Sequence, residues 1–232
     1  MRKMMTAMIL FGVLGAMPVQ AQNISIALTN LTGGSYFTPL LIAAHTPGDH
    51  FFQAGSQASA NLQAMAEGGD ISGLVADMQT LGADIVQNPA GGLLAPGVTA
   101  MASLTTAAGN SALSLVAMIL PTNDGFVGLD SMSLPLLAGV YTYYLNAYDA
   151  GTEANNELVN GGGAPGVLGI PADPGGNNGS GATGVTTTET NNTVHIHGGV
   201  LGDTDAAGGL SDLDSRIHRW LNPVAKLVIT IN

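Results

Sequence analysis

The sequence predicts a mainly β protein, an antiparallel β-sandwich with one or two short helices and a long Gly-rich loop. Several short segments alternate apolar and polar residues, which is the periodicity of half-buried strands. The chain has 33 glycines and 11 prolines and only 9% charged residues, which favours many turns between strands. At 232 residues it is long enough to bury one sizeable core, and we therefore expect one domain.

The first half of the chain contains three predicted strands and both predicted helices. Residues 23–31 alternate around Ile24, Ile26 and Leu28, and residues 39–45 read as a second strand that Pro39 opens. Helical spacing of apolar residues predicts short helices within residues 56–66 and 71–81, the first stopped by the glycines at 68 and 69. A Gly/Pro loop at 88–96 precedes a strand at 97–104.

The second half is predicted to be strands separated by one long loop. Residues 112–120 form an almost continuous apolar run, which indicates a central buried strand. Further strands are predicted at 126–129, 140–145, 193–197 and 225–231. Residues 158–184 are rich in glycine and proline and are predicted to be a surface loop.

The N-terminus has the features of a secretory signal. Arg2 and Lys3 precede an apolar stretch at 4–17, and Val19-Gln20-Ala21 is a small-residue cleavage site. We therefore expect a signal peptide at 1–21, cleavage near Ala21–Gln22, and a mature domain at 22–232 that is secreted, periplasmic or at the cell surface. The alternative is that this stretch is kept as an anchor helix. No other segment is long and apolar enough to predict a transmembrane helix.

Charge and composition exclude several functions. Loss of Arg2 and Lys3 would change the net charge from −11 to −13, and such a chain repels nucleic acid and anionic lipid. There is no cysteine, so no disulfide can brace an exported domain. No Gly-x-Ser-x-Gly elbow and no phosphate-binding Gly loop with lysine is present. The sequence therefore gives no support for an enzyme of these classes.

Two acidic, Gly-rich segments lie about two dozen residues apart. The first spans 121–131 and contains Asp124 and Asp130, and the second spans 148–157 and contains Asp149 and Glu153. Each places carboxylates on a turn between predicted strands, and oxygen atoms converging from loops are what Ca²⁺ requires. The alternative is that Asp124 and Asp149 serve only as turn formers.

These segments resemble the spondin domain, the N-terminal domain of F-spondin and mindin. That family has an Asp-aromatic-φ-x-Gly-φ-Asp-Ser stretch followed by Asp-Ala-Gly-Thr-Asp. Three other places are also similar to bacterial members of the family, namely residues 38–45, 51–70 and 220–231. The resemblance implies an antiparallel β-sandwich related to calcium-dependent lipid-binding domains, with a metal ion held by loops at one end.

Carried over to this sequence, the resemblance implies Asp124, Asp149 and Glu153 as side-chain ligands of a calcium ion, with Asp130 as a weaker candidate. Glu153 stands where the family has aspartate, and Gly125 stands where animal members carry tryptophan. We therefore expect an exported calcium-binding module that mediates adhesion or other extracellular or periplasmic binding. An extracellular protein, a glycan and a lipid surface all stay open as its partner.

Two further groups of residues are candidate metal sites. His195 and His197 are two apart on a predicted strand, so they share a face and could chelate Zn²⁺ or Cu²⁺ in a metalloenzyme or a metal-binding protein. The alternative is that they are hydrogen-bonded histidines at a strand end. Asp203 and Asp205 in a Gly-rich loop could bind a second calcium ion. The alternative there is a helix start, with Ser211 or Asp212 as N-cap before residues 215–220 and Asp212 paired with Arg216.

Overall fold

The structure, a computed structural model, describes residues 20–176 and 178–232. The predicted signal peptide at 1–21 therefore lies almost wholly outside the described residues. The elements of the described part are, in chain order, β1 Asn23–Asn30, β2 Tyr36–Phe37, β3 Leu41–His45, α1 Ala60–Gly68, α2 Ser72–Thr80, β4 Asp84–Gln87, β5 Thr99–Thr105, β6 Ala112–Leu120, β7 Gly125–Ser133, β8 Gly139–Asp149, β9 His195–Ile196 and β10 Ala225–Ile231.

The strands form one antiparallel, nearly closed sheet that folds over itself as a sandwich. Their order is β4-β3-β6-β7-β8-β10-β1-β5, with β2 added to β6 and β9 added to β8. The first and last strands of the chain are neighbours, because β1 pairs with β10 from Ile24↔Ile231 to Asn30↔Ala225. The alternating apolar residues that predicted strands point inward, and Ile26, Leu115 and Ile229 are among those that fill the core.

A second apolar cluster lies on the outside of one layer. Both helices pack there, placing Leu62, Met65 and Met78 against the outward side chains of β3 and β6 such as Leu41 and Met118. This explains why β6 is buried along its whole length and apolar at every position except Ser114, whose hydroxyl lies 2.7 Å from His45 Nε2. The other layer, β8-β10-β1-β5, alternates buried and partly exposed residues, and no helix of the described residues covers its outer face.

The predicted mainly β fold with two short helices is confirmed. The helices begin and end within a few residues of the predicted segments, and the strands at 112–120 and 225–231 match to the residue. The short strands β2 and β4 were not predicted. Strands β7 and β8 are longer than expected because β7 also pairs with β6 as far as Ser133, and β8 also pairs with β10 from Gly139 to Leu145. The helix expected at 215–220 is wrong, since this segment consists of turns and irregular backbone.

The described part of the Gly-rich loop is fastened to the body of the protein. Ile170 is fully buried in the main core. His218 Nδ1 accepts a hydrogen bond from the Asp214 N–H, and His218 Nε2 lies 3.2 Å from a carboxylate oxygen of Asp173, with both side chains buried. The loop was predicted to lie on the surface, but it thus contributes to the core in part.

Candidate functional site

The two acidic segments meet at one end of the sandwich because β7 pairs with β8. Asp124 closes the turn before β7, Asp149 is the last residue of β8, and the register places Gly125 opposite Asp149. The backbone N–H of Ala150 donates to the carbonyl of Asp124 at 3.2 Å. Residues 25 apart in the sequence are therefore neighbours, and both aspartates are buried.

Asp124 is the most unusual side chain of this end. Its Oδ2 accepts hydrogen bonds from the Thr152 N–H at 2.8 Å and the Glu153 N–H at 3.1 Å. Its Oδ1 is buried and has no hydrogen-bond partner among the described residues. Burial, followed by the nearby charge of Asp149, raises the pKa of Asp124 to about 8, although the two N–H donors act in the opposite direction. A buried carboxylate oxygen without a partner is costly, and a cation beside it would remove that cost.

Asp149 is held in place by the segment that follows it. Its Oδ1 accepts a hydrogen bond from the Gly151 N–H at 2.8 Å, and its Oδ2 accepts one from the Asn155 side chain at 2.6 Å. Gly151 has a φ of 68°, and a Cβ at this position would lie 2.7 Å from the Asn191 carbonyl oxygen. The Asp149-Ala-Gly sequence therefore forms a tight turn whose close approach to residue 191 only glycine permits.

Glu153 reaches the same end of the protein, but its carboxylate faces the Gly-rich loop. Oε1 accepts a hydrogen bond from the Gly169 N–H at 2.7 Å, and Oε2 accepts one from the Asn123 amide at 3.1 Å. Burial raises the pKa of Glu153 to about 7 against the opposing effect of these hydrogen bonds. The structure thus brings the backbone of Glu153 to Asp124 and directs its side chain to the neighbouring loop.

Asp130 is not brought to this site. It lies within β7, where its Oδ2 is 2.6 Å from His50 Nδ1 and its Oδ1 accepts a hydrogen bond from the Phe51 N–H at 3.2 Å. The weaker candidate ligand thus fixes the segment before α1 to the sheet.

His195 and His197 lie next to the acidic pair, on and just after β9. His195 Nδ1 is 2.8 Å from the Thr193 carbonyl oxygen and 3.8 Å from Asp149 Oδ1. His197 is buried against Trp220, and its Nδ1 accepts the Gly199 N–H at 2.9 Å, so the neutral ring carries its proton on Nε2. Burial lowers the pKa of His197, although the charge of Asp149 opposes this effect. One ring nitrogen of each histidine is therefore engaged with the backbone, whereas His197 Nε2 is buried and has no hydrogen-bond partner among the described residues.

The Asp203 loop is organised by its own hydrogen bonds. Asp203 accepts N–H groups from Asp205, Leu210 and Ser211, and together with Asp212 and Asp214 it lines a cavity of about 40 Å³. Asp212 does not cap a helix. Its carboxylate accepts N–H groups from Val159 and from residues 180–182, and Arg216 pairs with Asp214 and not with Asp212.

The sequence reasoning missed the asparagines and one buried glutamate of this end. Asn123 and Asn155 hold the carboxylates of Glu153 and Asp149, and Glu157 accepts N–H groups from Leu201 and Gly202. Glu157 also has a φ of 57°, which is rare for a side chain of this size. Their only signal in the sequence was their place within or beside the two acidic segments.

Among the described residues, no group of three or more histidine, aspartate or glutamate side chains is arranged to hold a metal ion. A calcium ion at Asp124 and Asp149 would therefore need backbone carbonyl, amide or water oxygens to complete its shell, as calcium sites commonly do. In the same part of the chain, no helix has the length and apolar character needed to cross a membrane.

Comparison with protein-family models identifies the family of this chain. The family model Spondin_N, which describes the spondin N-terminal domain, matches residues 30–158, more than half of the chain. The matched region includes both acidic segments and ends where the Gly-rich loop begins. No curated protein sequence matches this chain.

Proposed function

Because this chain belongs to the spondin N-terminal domain family, an extracellular type of module, we propose that it is an exported calcium-binding domain that mediates adhesion or other binding outside the cytoplasm. The calcium ion would lie between the turn before β7 and the segment after β8. The observation that supports this proposal is the buried Oδ1 of Asp124, which has no hydrogen-bond partner in the described part of the chain and lies beside a second buried carboxylate.

The donor chemistry supports calcium over a transition metal. Asp124 and Asp149 offer carboxylate oxygen, which suits a hard cation, and the nearest histidine nitrogen to Asp149, His195 Nδ1, is turned to a backbone carbonyl. Glu153 would bind the ion only if its side chain left Gly169 and Asn123. We therefore assign the two aspartates to the ion and leave Glu153 in its observed role of holding the Gly-rich loop.

The ion would act on structure and not on chemistry. A divalent cation neutralises two buried carboxylates and ties together loops that otherwise carry like charges. Such an ion fixes the shape of the loop end, and loop ends of β-sandwiches commonly carry the binding surface. The adhesion partner, whether protein, glycan or lipid, would then contact this end only when calcium is present.

The test is a pair of melting curves, in calcium and in chelator, for the unaltered protein and for Asp124→Asn, with elemental analysis of the purified protein. We expect about one calcium per chain and a melting temperature that calcium raises. Asn at 124 has nearly the same shape without the charge, so in chelator it should be neutral or stabilising, and in calcium the response should vanish. Asp130→Asn is the matched control and should keep the full calcium response.

Two outcomes would contradict the proposal. One is an unaltered protein that contains no calcium and melts at the same temperature in both buffers. The other is stoichiometric zinc or copper, which would favour the alternative of a transition-metal protein that uses His195 and His197.

A further inference from the structure

We infer that the bare outer face of the β8-β10-β1-β5 layer is the contact surface of a weak symmetric dimer, formed when a second copy of this chain packs its own bare face against it. This inference is independent of the calcium proposal, because it concerns a different surface. It rests on the uneven covering of the two layers, on the distribution of charge, and on the shape of the face.

The two layers differ in what covers their outer sides. The layer containing β3 and β6 is covered by α1 and α2, which bury a complete apolar cluster. The opposite layer has no such cover among the described residues, yet it presents large apolar side chains. Met101 on β5 is 64% exposed and Val140 on β8 is 68% exposed. Tyr144 on β8 is also 62% exposed, and these three side chains give apolar surface to a face on which serine and threonine hold six of the twelve outward positions.

The outward side chains of this layer form three rows across four strands. The pairing registers align Thr142, Val228, Ala27 and Met101 in the middle row. One flanking row contains Tyr144 and Lys226, and the other contains Val140 and Thr230. Thr29 and Thr99 are hydrogen-bonded to each other within the first of these flanking rows, at 2.8 Å, so part of the face is ordered before any partner arrives.

Charge favours a second copy as the occupant. All 16 acidic residues of the chain lie in the part that the structure describes, and none occupies an outward position of these three rows. Lys226 is the single charged residue of the face. Two copies of a strongly acidic protein repel each other on most approaches. They can come together at low electrostatic cost where the carboxylates are absent, which is this face.

Shape allows the face to complement itself. Ala27 is the smallest side chain of the middle row and lies between Val228 and the projecting Met101. Two sheets that stack about 10 Å apart interdigitate such rows, and a twofold axis places the same patch on both partners. Four strands of seven residues cover roughly 19 by 23 Å, which is a small interface, and we therefore expect a dissociation constant in the range of roughly tens to hundreds of micromolar.

The test is sedimentation velocity of the purified protein over a concentration series that spans this range, at low and at high salt. We expect a concentration-dependent monomer–dimer equilibrium that strengthens as salt increases, because salt screens the repulsion between the acidic bodies. Met101→Glu and Val140→Glu each place a carboxylate on the face and should weaken dimerisation at least tenfold. Leu168→Glu is the matched control, since Leu168 is 66% exposed on the Gly-rich loop, and it should leave the equilibrium unchanged.

The variants alter exposed positions, and melting curves check that each is folded. A protein that stays monomeric over the whole series overturns the inference. So does a dimer that Met101→Glu and Val140→Glu both leave intact, or one that salt weakens, since such a dimer would be held by another surface or by ion pairs.

Discussion

At the scale of single residues, the buried carboxylate of Asp124 dominates the electrostatics of the loop end. Its carboxylate is buried beside Asp149, one oxygen is fully hydrogen-bonded, and the other has no partner among the described residues. The residue therefore has two ways to avoid an uncompensated buried charge. It can bind a proton, which its raised pKa indicates, or it can bind a cation.

Because a proton and a cation compete for Asp124, stability in chelator should fall with pH while calcium affinity should rise with pH. Between its ordinary pKa of 3.8 and about 8, Asp124 is protonated in the folded state and ionised in the unfolded state. In chelator, stability should therefore fall as the pH rises through this range. In calcium, the ion displaces the proton, so calcium affinity should increase with pH up to about 8.

The measurement is a set of melting curves and calcium titrations between pH 5 and 8, with proton release recorded during the titration. Asp124→Asn removes this titrating group and should reduce the dependence in chelator, and Glu153, whose pKa is raised to about 7, accounts for the part that is left. A calcium affinity that is constant over this range would contradict the assignment of Asp124 as a ligand.

At the scale of elements, carboxylate side chains accept backbone N–H groups of the Gly-rich segments. In helices and strands, backbone carbonyls fill this role. Glu67 accepts the Gly166 N–H, Glu153 accepts the Gly169 N–H, and Asp212 accepts those of residues 180–182. Glu67 and Glu153 each replace one backbone acceptor that the loop lacks, and Asp212 replaces several. This is how a segment with so many glycines can still be well packed.

Asp212→Asn should therefore loosen the loop without unfolding the protein. Burial would raise the pKa of Asp212, but its hydrogen bonds with Val159, Ala182 and Ser180 together lower it, which shows that they favour the ionised form. An amide in its place has one acceptor oxygen instead of two. We expect a loss of about 1 kcal/mol, with faster hydrogen exchange confined to residues 159 and 180–182.

The exchange is followed by mass spectrometry of peptides from that loop, with Asp49→Asn as the control, because the Asp49 side chain makes no hydrogen bond among the described residues. Unchanged protection at 180–182 in Asp212→Asn would count against this role. The same stabilisation should also fade as the pH falls below the ordinary 3.8 of aspartate, since its folded pKa is depressed.

Asp212 also shows where sequence reasoning reached its limit. Strands such as β6 and β10 could be predicted because their burial pattern follows directly from an almost continuous apolar run or from local alternation. The helix expected after Asp212 could not be distinguished from a loop, because aspartate favours both helix caps and turns. In the structure, the Asp212 carboxylate accepts N–H groups from residues 180–182 and does not cap a helix. Likewise the meeting of Asp124 with Asp149 was expected from the resemblance, but the turn of Glu153 towards Gly169 depends on a contact with a loop that no local pattern encodes.

At the scale of the whole molecule, the two ends of the described chain complete the sheet together. β10 lies between β8 and β1, so without it β1 and β5 would have no connection to the rest of the sheet order. The match to the spondin model ends at residue 158 and does not include this strand. We therefore expect that the matched region does not fold by itself, because the link between β8 and β1 depends on β10.

This topology predicts that a chain ending at Val224 does not fold. Loss of β10 exposes core that Leu227, Ile229 and Ile231 cover, and each of these side chains contributes about 2 kcal/mol of burial. Together with the lost pairing to both neighbouring strands, this loss of burial energy is comparable to the whole free energy of unfolding of an ordinary domain, which is about 5 to 15 kcal/mol. We expect no cooperative melting transition and rapid proteolysis, whereas a chain that lacks only Asn232 should melt cooperatively as the intact protein does. A cooperative transition in the chain ending at Val224 would contradict this prediction, because it would show that the rest of the domain folds without β10.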